Sequence, residues 1–198
     1  MIEYNIINTI NLEHRTDRLE HFHQQSLEQK FGYRVWPGIL CKGDNKRGIN
    51  LAHRQIVQYA KDNNLERVCI GEDDLKFFNE KPGAWQYFLD NIPTDYDTYH
   101  AQIYVGEITN NRITSVFSGM TLYFINNRFY DFFLSLPESI HIDRELGLYA
   151  NQFKFMVCPE FVCEQIAGKS DNTHTVTISY RPFLKGRKIF GDVNVNID

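Results

Sequence analysis

The sequence predicts an α/β fold with a mixed, mostly parallel central sheet flanked by helices, and three observations lead there. In the first half, short β-branched and apolar runs alternate with segments of helical period, the pattern of strands joined by crossover helices. One of those runs, Val68-Cys69-Ile70-Gly71, is continuously apolar, as buried strands are, and ends in Glu72-Asp73-Asp74 before Leu75-Lys76-Phe77 resumes. In the second half, residues 112–116 and 119–125 lie too close together for another strand-helix-strand unit, so antiparallel or peripheral strands are expected there.

Residues 5–12 read as the first strand, followed by a helix that Thr16 or Asp17 caps and that Leu19, Phe22, Leu27 and Phe31 line until Gly32 stops it. A second short strand covers 33–40, interrupted by Pro37-Gly38, and residues 41–48 form a polar, basic loop of the kind that can lie near phosphate. The next helix, 49–63, takes Asn50 as its cap and carries Leu51, Ala52, Ile56, Val57 and Ala60 on one stripe. After the acid-tipped strand, Pro82-Gly83 opens a helix with Trp85, Phe88 and Leu89, Pro93 ends it, and a strand over 95–105 follows. Residues 127–136 form a helix with Phe129, Phe132, Phe133 and Leu136 inward, 141–149 a further short helix, and 153–157 a last clear strand before Pro159. The end, 168–198, has little period and is expected to fold over the site.

At 198 residues the chain suits one domain, 1–198, with enough length for a substantial core. A 42% hydrophobic and 23% charged content excludes disorder, and a net charge of −4 offers no overall field for nucleic acid. No run approaches the roughly 20 apolar residues of a membrane span, and no leader heads the chain. Cys41, Cys69, Cys158 and Cys163 are scattered without C-x-x-C spacing, which predicts reduced thiols and a cytoplasmic setting.

Three adjacent carboxylates repel one another unless a cation sits between them, and hard oxygen ligands at a strand tip suit Mg or Mn better than Zn. Ligands of open α/β sheets bind beyond the carboxyl ends of the strands, where this acid cluster falls. The plain alternative is a solvated acidic turn. Arg15 and Arg18, after the first strand, can reach a phosphate or a nucleobase crevice; the alternative for them is a surface salt bridge at a helix start.

With these pieces in order, the chain resembles glycosyltransferase family 25, which holds lipooligosaccharide and collagen galactosyltransferases. The likeness is carried by Ile10-Asn11-Leu12 with Arg15 and Asp17-Arg18; by Gly48 with His53; by Glu72-Asp73-Asp74; and by Asp143, Pro159, Gln165 and Ser170-Asp171. It departs from the family where Ala52 stands before His53 and Gly71 before Glu72, positions that usually hold Ser and an apolar residue. The resemblance implies a GT-A-like nucleotide-sugar binding fold and an inverting, metal-dependent transfer of a hexose, with galactose the family's sugar. The donor implied is UDP-linked, the acceptor a saccharide or glycoconjugate, as in lipopolysaccharide biosynthesis, and the cofactor Mn or Mg. It places Asn11, Arg15, Arg18, His53, Glu72 and Asp73 at the donor and Asp73 and Asp74 at the metal, with Asp74 the first-choice ligand. For inversion a carboxylate must take the acceptor proton; Asp143 is the candidate, Glu145 the reserve, and a salt bridge from Asp143 to Arg144 the alternative. A noncatalytic sugar- or nucleotide-binding module on the same fold is the competing function. A phosphoryl-transfer enzyme lacks support, because no G-x-x-x-x-G-K-[ST] loop is present.

Overall fold

β-branched and apolar side chains at 6–10 build the first strand, β1 (Ile6–Asn11), the axis on which the sheet changes direction. The structure is a computed structural model describing residues 5–78, 83–169, 171, 176–177 and 179–192; Pro82, Ser170 and the chain end beyond 192 lie outside the described residues. Helix α1 (Thr16–Gln29) leads to β2 (Gly32–Pro37), and α2 (Asn45–Asp62) leads to β3 (Arg67–Glu72). β1 pairs in parallel with β2 on one side and β3 on the other, so the order reverses there, and the crevice of such a sheet opens at the carboxyl ends of β1 and β3.

The chain continues through β4 (Leu75–Phe77), α3 (Ala84–Asp90), β5 (Thr98–His100), β6 (Ile108–Thr109), β7 (Arg112–Ile113) and β8 (Leu122–Asn126). Then come α4 (Tyr130–Ser135), α5 (Ile142–Gly147), β9 (Phe155–Val157), β10 (Cys163–Gln165), β11 (Gly168–Lys169) and β12 (Val176–Thr177). The main sheet has the order β2-β1-β3-β8-β5-β9-β7-β6. It is mixed: β5 with β9 is parallel, whereas β8 runs antiparallel to β3 and β5, and β7 to β9 and β6. Two small ribbons, β4 with β10 and β11 with β12, lie outside it.

Alternation along the strands divides the core into two apolar clusters. Val68, Ile70, Tyr123 and Ile125 join Ile56 and Val57 of α2, Phe133 of α4 and Leu146 of α5, whereas Ile7, Cys69, Leu122 and Phe124 join Phe22 of α1 and Trp85 of α3. The periodicity of the helices is therefore that of a sheet covered on both faces.

Several boundaries differ from the sequence expectation for local reasons. Thr16 and Asp17 are the first residues of α1 rather than its cap; Arg15 stands at the cap position, and Asp17 serves the first turn as a carboxylate near the helix dipole's positive end. Leu27, expected on the inner stripe, is 60% exposed. α2 begins five residues before Asn50, because Asp44 accepts the Arg47 amide at 3.0 Å, and so absorbs half of the expected basic loop. Asn50 is buried within α2, where its side chain donates to the carbonyls of Pro137 (3.0 Å) and Ile140 (3.3 Å). The expected strand over 95–105 keeps only Thr98–His100 in the ladder; beyond it Ala101 and Tyr104 donate to Leu122 and Ser118. The strand expected over 112–116 is antiparallel, as expected, but keeps only Arg112–Ile113, the second arm of a tight hairpin turned by Asn110 and Asn111 at φ 52° and 60°.

Gly48 is required by close approach: a Cβ there would lie 2.1 Å from the Ile39 carbonyl oxygen, which seats the first turns of α2 on the exit of β2. Gly71, the departure from the family pattern, leaves room for Ile7, whose Cγ2 a Cβ would meet at 2.7 Å. Gly48→Ala would gain about 1 kcal/mol of helix propensity in open space. Against the backbone oxygen it is expected to lose on the order of 1–3 kcal/mol, as overpacking does. Urea unfolding checks the sign, and a midpoint at or above the parent's contradicts the close approach.

Candidate functional site

Only the first of the three carboxylates, Glu72, belongs to β3; Asp73 and Asp74 form the turn between β3 and β4. Glu72 continues the face of Val68 and Ile70, under α2 and α5, and Asp73 turns to the face of α1. Both oxygens of Asp73 are occupied: Oδ2 accepts from the Asn11 side chain at 2.7 Å and Oδ1 from Arg18 Nη1 at 2.9 Å. The same Arg18 nitrogen lies 3.1 Å from Asp74 Oδ2, while Asp74 Oδ1 is buried without a hydrogen-bond partner. Glu72 accepts from the Gln165 side chain, and the Gln165 amide donates to the Tyr104 hydroxyl at 2.9 Å.

Burial and mutual repulsion set the protonation of this cluster. Loss of solvent, then the charges of Asp74, Asp143 and Asp73, push the Glu72 carboxyl up to about 8. Burial raises Asp74 to about 6, against the pull of Arg18 and with a push from Asp73, and raises Asp73 despite Arg18 and Asn11. Burial also works against the charge of Arg18, but Asp74 and Asp73 outweigh it and its pKa is raised.

Around the cluster the C-terminal segment closes as a strap. The Lys169 carbonyl accepts from Arg15 Nη1 and Arg18 Nη2, each at 3.2 Å, and Arg15 pairs with Asp171 and, with two nitrogens at 2.9 Å, with Asp17. His14 lies 3.3 Å from Asp171, whose carbonyl accepts from Asn45 of α2 at 3.0 Å. Beside this strap is an apolar slot of about 80 Å³ at the exits of β1 and β2, lined by Ile10, Leu12, Ile39, Leu40, Ala52 and Asp171 among others. Arg47, from the expected phosphate-facing loop, turns instead to Glu138 at 3.2 Å.

Asp143 is not paired with Arg144. Its Oδ2 accepts from the Ser118 hydroxyl (2.9 Å) and the Gly119 amide (3.0 Å), and its Oδ1 from the Arg144 amide (2.7 Å); no ion pair joins the two side chains among the described residues. Its field reaches Glu72 and His53, so the fold brings it to the acid cluster. Glu145 is buried on α5, and no side-chain hydrogen bond or ion pair among the described residues links it to the cluster. His53 is fully enclosed, with Nδ1 2.9 Å from the Tyr123 hydroxyl and its ring stacked on that tyrosine, which in turn stacks on His100. The residue expected at the donor is thus seated in the core against Tyr123.

No protein-family model and no curated protein matches the chain, so the family 25 likeness rests on the residues quoted for it. Solved structures do match. A197 from STIV shares 8% identity over 88% of this chain and 93% of that chain, with a TM-score of 0.54. The mannosyltransferase PcManGT from Pyrobaculum calidifontis, determined with GDP-Man and Mn2+, shares 9% identity over 84% of this chain and 58% of that chain, also at 0.54. The fold is GT-A-like.

Within this GT-A-like frame the residues fit a divalent cation in one way. Among the described residues no three His, Cys, Asp or Glu side chains are gathered as a cage. Mg and Mn, however, are commonly held by one or two carboxylates, with phosphate oxygens and water completing the shell. Asp74, with a buried oxygen lacking a partner, and the adjacent Glu72 suit that role; Asp73 would first have to release Asn11 or Arg18. Ser118 was not legible in advance, because its role depends on a contact across 25 residues, and Gln165 entered only as a family marker.

The buried His53 predicts a pH dependence of stability. Burial, opposed by Asp143, lowers its pKa from 6.5 to about 4, so the unfolded chain binds the proton more readily. Its contribution is complete above pH 6.5 and is lost as pH falls toward 4, up to roughly 3 kcal/mol at 1.36 per unit. Urea midpoints at pH 7 and pH 4 for the parent and His53→Gln test this; equal drops in both would show that His53 does not titrate with unfolding.

Proposed function

We propose that the chain is a metal-dependent glycosyltransferase of the family 25 type, moving a hexose from a nucleoside diphosphate sugar to a saccharide or glycoconjugate. The observation that carries this reading is the conjunction of Asp74's unpartnered oxygen at the exit of β3, an apolar slot at the exits of β1 and β2, and the oriented carboxylate of Asp143. The fold shared with a mannosyltransferase seen with GDP-Man and Mn2+ agrees with it.

In this reading the nucleobase enters the slot between Leu12, Ile39 and Ala52, and the diphosphate lies toward Arg15, Arg18 and Asp74. Asp74 and Glu72 would hold Mn or Mg, which when bound neutralises charge developing on the departing diphosphate. Asp143 accepts the acceptor's hydroxyl proton as that oxygen attacks the anomeric carbon; the bond to the diphosphate oxygen breaks, and the nucleoside diphosphate leaves with the electron pair. Ser118, Gly119 and the Arg144 amide hold the carboxylate in place for that transfer. UDP as carrier and galactose as sugar follow from the family resemblance.

One observation favours the noncatalytic module instead: both guanidinium groups of the donor side, Arg15 and Arg18, are engaged by the protein's own carboxylates. Slow hydrolysis of a UDP-sugar separates the two, since a binding module turns over no donor.

Asp74→Asn is expected to abolish Mn-dependent binding of UDP, as read by calorimetry, in a variant that still melts cooperatively because Arg18 keeps Asp73 as its partner. Binding as tight as the parent's removes Asp74 from the site. Asp143→Asn is expected to cut single-turnover transfer by about a hundredfold to ten-thousandfold while leaving donor affinity near the parent's. A near-normal rate would move the base to Glu145 or Asp171.

A further inference from the structure

The acid cluster already holds a cation. Arg18 Nη1 stands between Asp73 Oδ1 at 2.9 Å and Asp74 Oδ2 at 3.1 Å, where repulsion between adjacent carboxylates calls for positive charge. The Arg18 side chain is 15% exposed, and its second nitrogen is tied to the Lys169 carbonyl at 3.2 Å. The arrangement is incomplete on one side: Asp74, 8% exposed, has an Oδ1 that is buried and accepts no hydrogen bond, although Arg18 serves its other oxygen. A carboxylate oxygen so enclosed is costly unless a ligand uses it.

We infer that Arg18 is the resident counter-cation of the Asp73–Asp74 pair and that a divalent cation competes with it for Asp74, so that metal entry releases the guanidinium. A divalent ion on Asp74 Oδ1 brings a second positive charge within a few ångströms of Nη1 on Oδ2, and the repulsion between the two cations weakens the hold of each on that carboxylate. The freed fork is then available to a dianionic phosphate, which it can meet in bidentate fashion. Arg18 thus has opposite effects on the two ligands, opposing the ion and favouring the anion. The anion half rests on the donor-site reading above; the cation half does not.

The experiment is a titration of Mn2+ into the full chain without nucleotide, following free Mn2+ by electron paramagnetic resonance, for the parent, Arg18→Gln and Arg18→Lys. Arg18→Gln is expected to bind Mn2+ about tenfold more tightly or better, the size of one charge-assisted hydrogen bond, with Arg18→Lys between it and the parent. Mn2+ binding by Arg18→Gln that is equal to or weaker than the parent's, or absent from both, overturns the inference. If Arg18→Gln does not fold, judged by its melting transition, Arg18→Lys decides alone: tighter than the parent supports competition, and equal or weaker refutes it. A parallel titration with UDP at saturating Mn2+ keeps the two readings apart, because failure of UDP to bind the parent there counts against the donor site and leaves the result with Mn2+ alone standing.

Discussion

The structure depends on compensating three carboxylates that β3 delivers to one point. Left alone they would repel across a few ångströms in a region largely stripped of water, and the raised pKa values of Glu72 and Asp74 record that cost. Compensation comes from the neighbouring β1–α1 connection, with Asn11 at the end of β1 and Arg18 one turn into α1 both reaching Asp73. Removing one partner of a buried ion pair costs roughly 3–5 kcal/mol. The acid tip and the first turn of α1 therefore form one electrostatic unit.

That unit explains why the C-terminal segment returns. Arg15 and Arg18 still have donors to place once Asp17, Asp73 and Asp74 are served, and the Lys169 carbonyl takes one from each. Asp171 completes the closure by pairing with Arg15, lining the apolar slot and giving its carbonyl to Asn45. A segment without hydrophobic period is fixed here by polar contacts to three elements, so periodicity alone carried little signal for it.

What was legible in the sequence followed the reach of each interaction. β1, β3 and the stripe of α2 were readable because apolar pattern is local, and the acidic tip was readable because the residues are consecutive. The start of α2 was missed because Asp44, inside a loop-like run of polar residues, captures the Arg47 amide, and Asn50 has its partners at 137 and 140. Repulsion among adjacent carboxylates was legible, and it was read as calling for Mg or Mn. That an arginine of the chain stands there was not, since it depends on how α1 packs against the end of β3. Asp143 was placed by resemblance with Arg144 as its rival partner, and the structure gives it Ser118 and Gly119, which only the crossing of β8's approach with α5 brings near.

The exit of the chain from β3 into the turn finally separates two kinds of work. The α1 face receives Asp73, whose oxygens are both satisfied by the protein and which is therefore an anchor for the turn. The opposite face receives Glu72, with Asp143 close enough to raise its pKa, and the same face carries the stacked rings of His53, Tyr123 and His100. Of the three, Asp74, at the turn, keeps a buried oxygen without a hydrogen-bond partner. A consecutive acidic triplet thus becomes an anchor, a carboxylate with an unshared oxygen and a desolvated carboxyl, and the passage from strand at Glu72 to turn at Asp73 and Asp74, more than the chemistry of Glu and Asp, sets them apart.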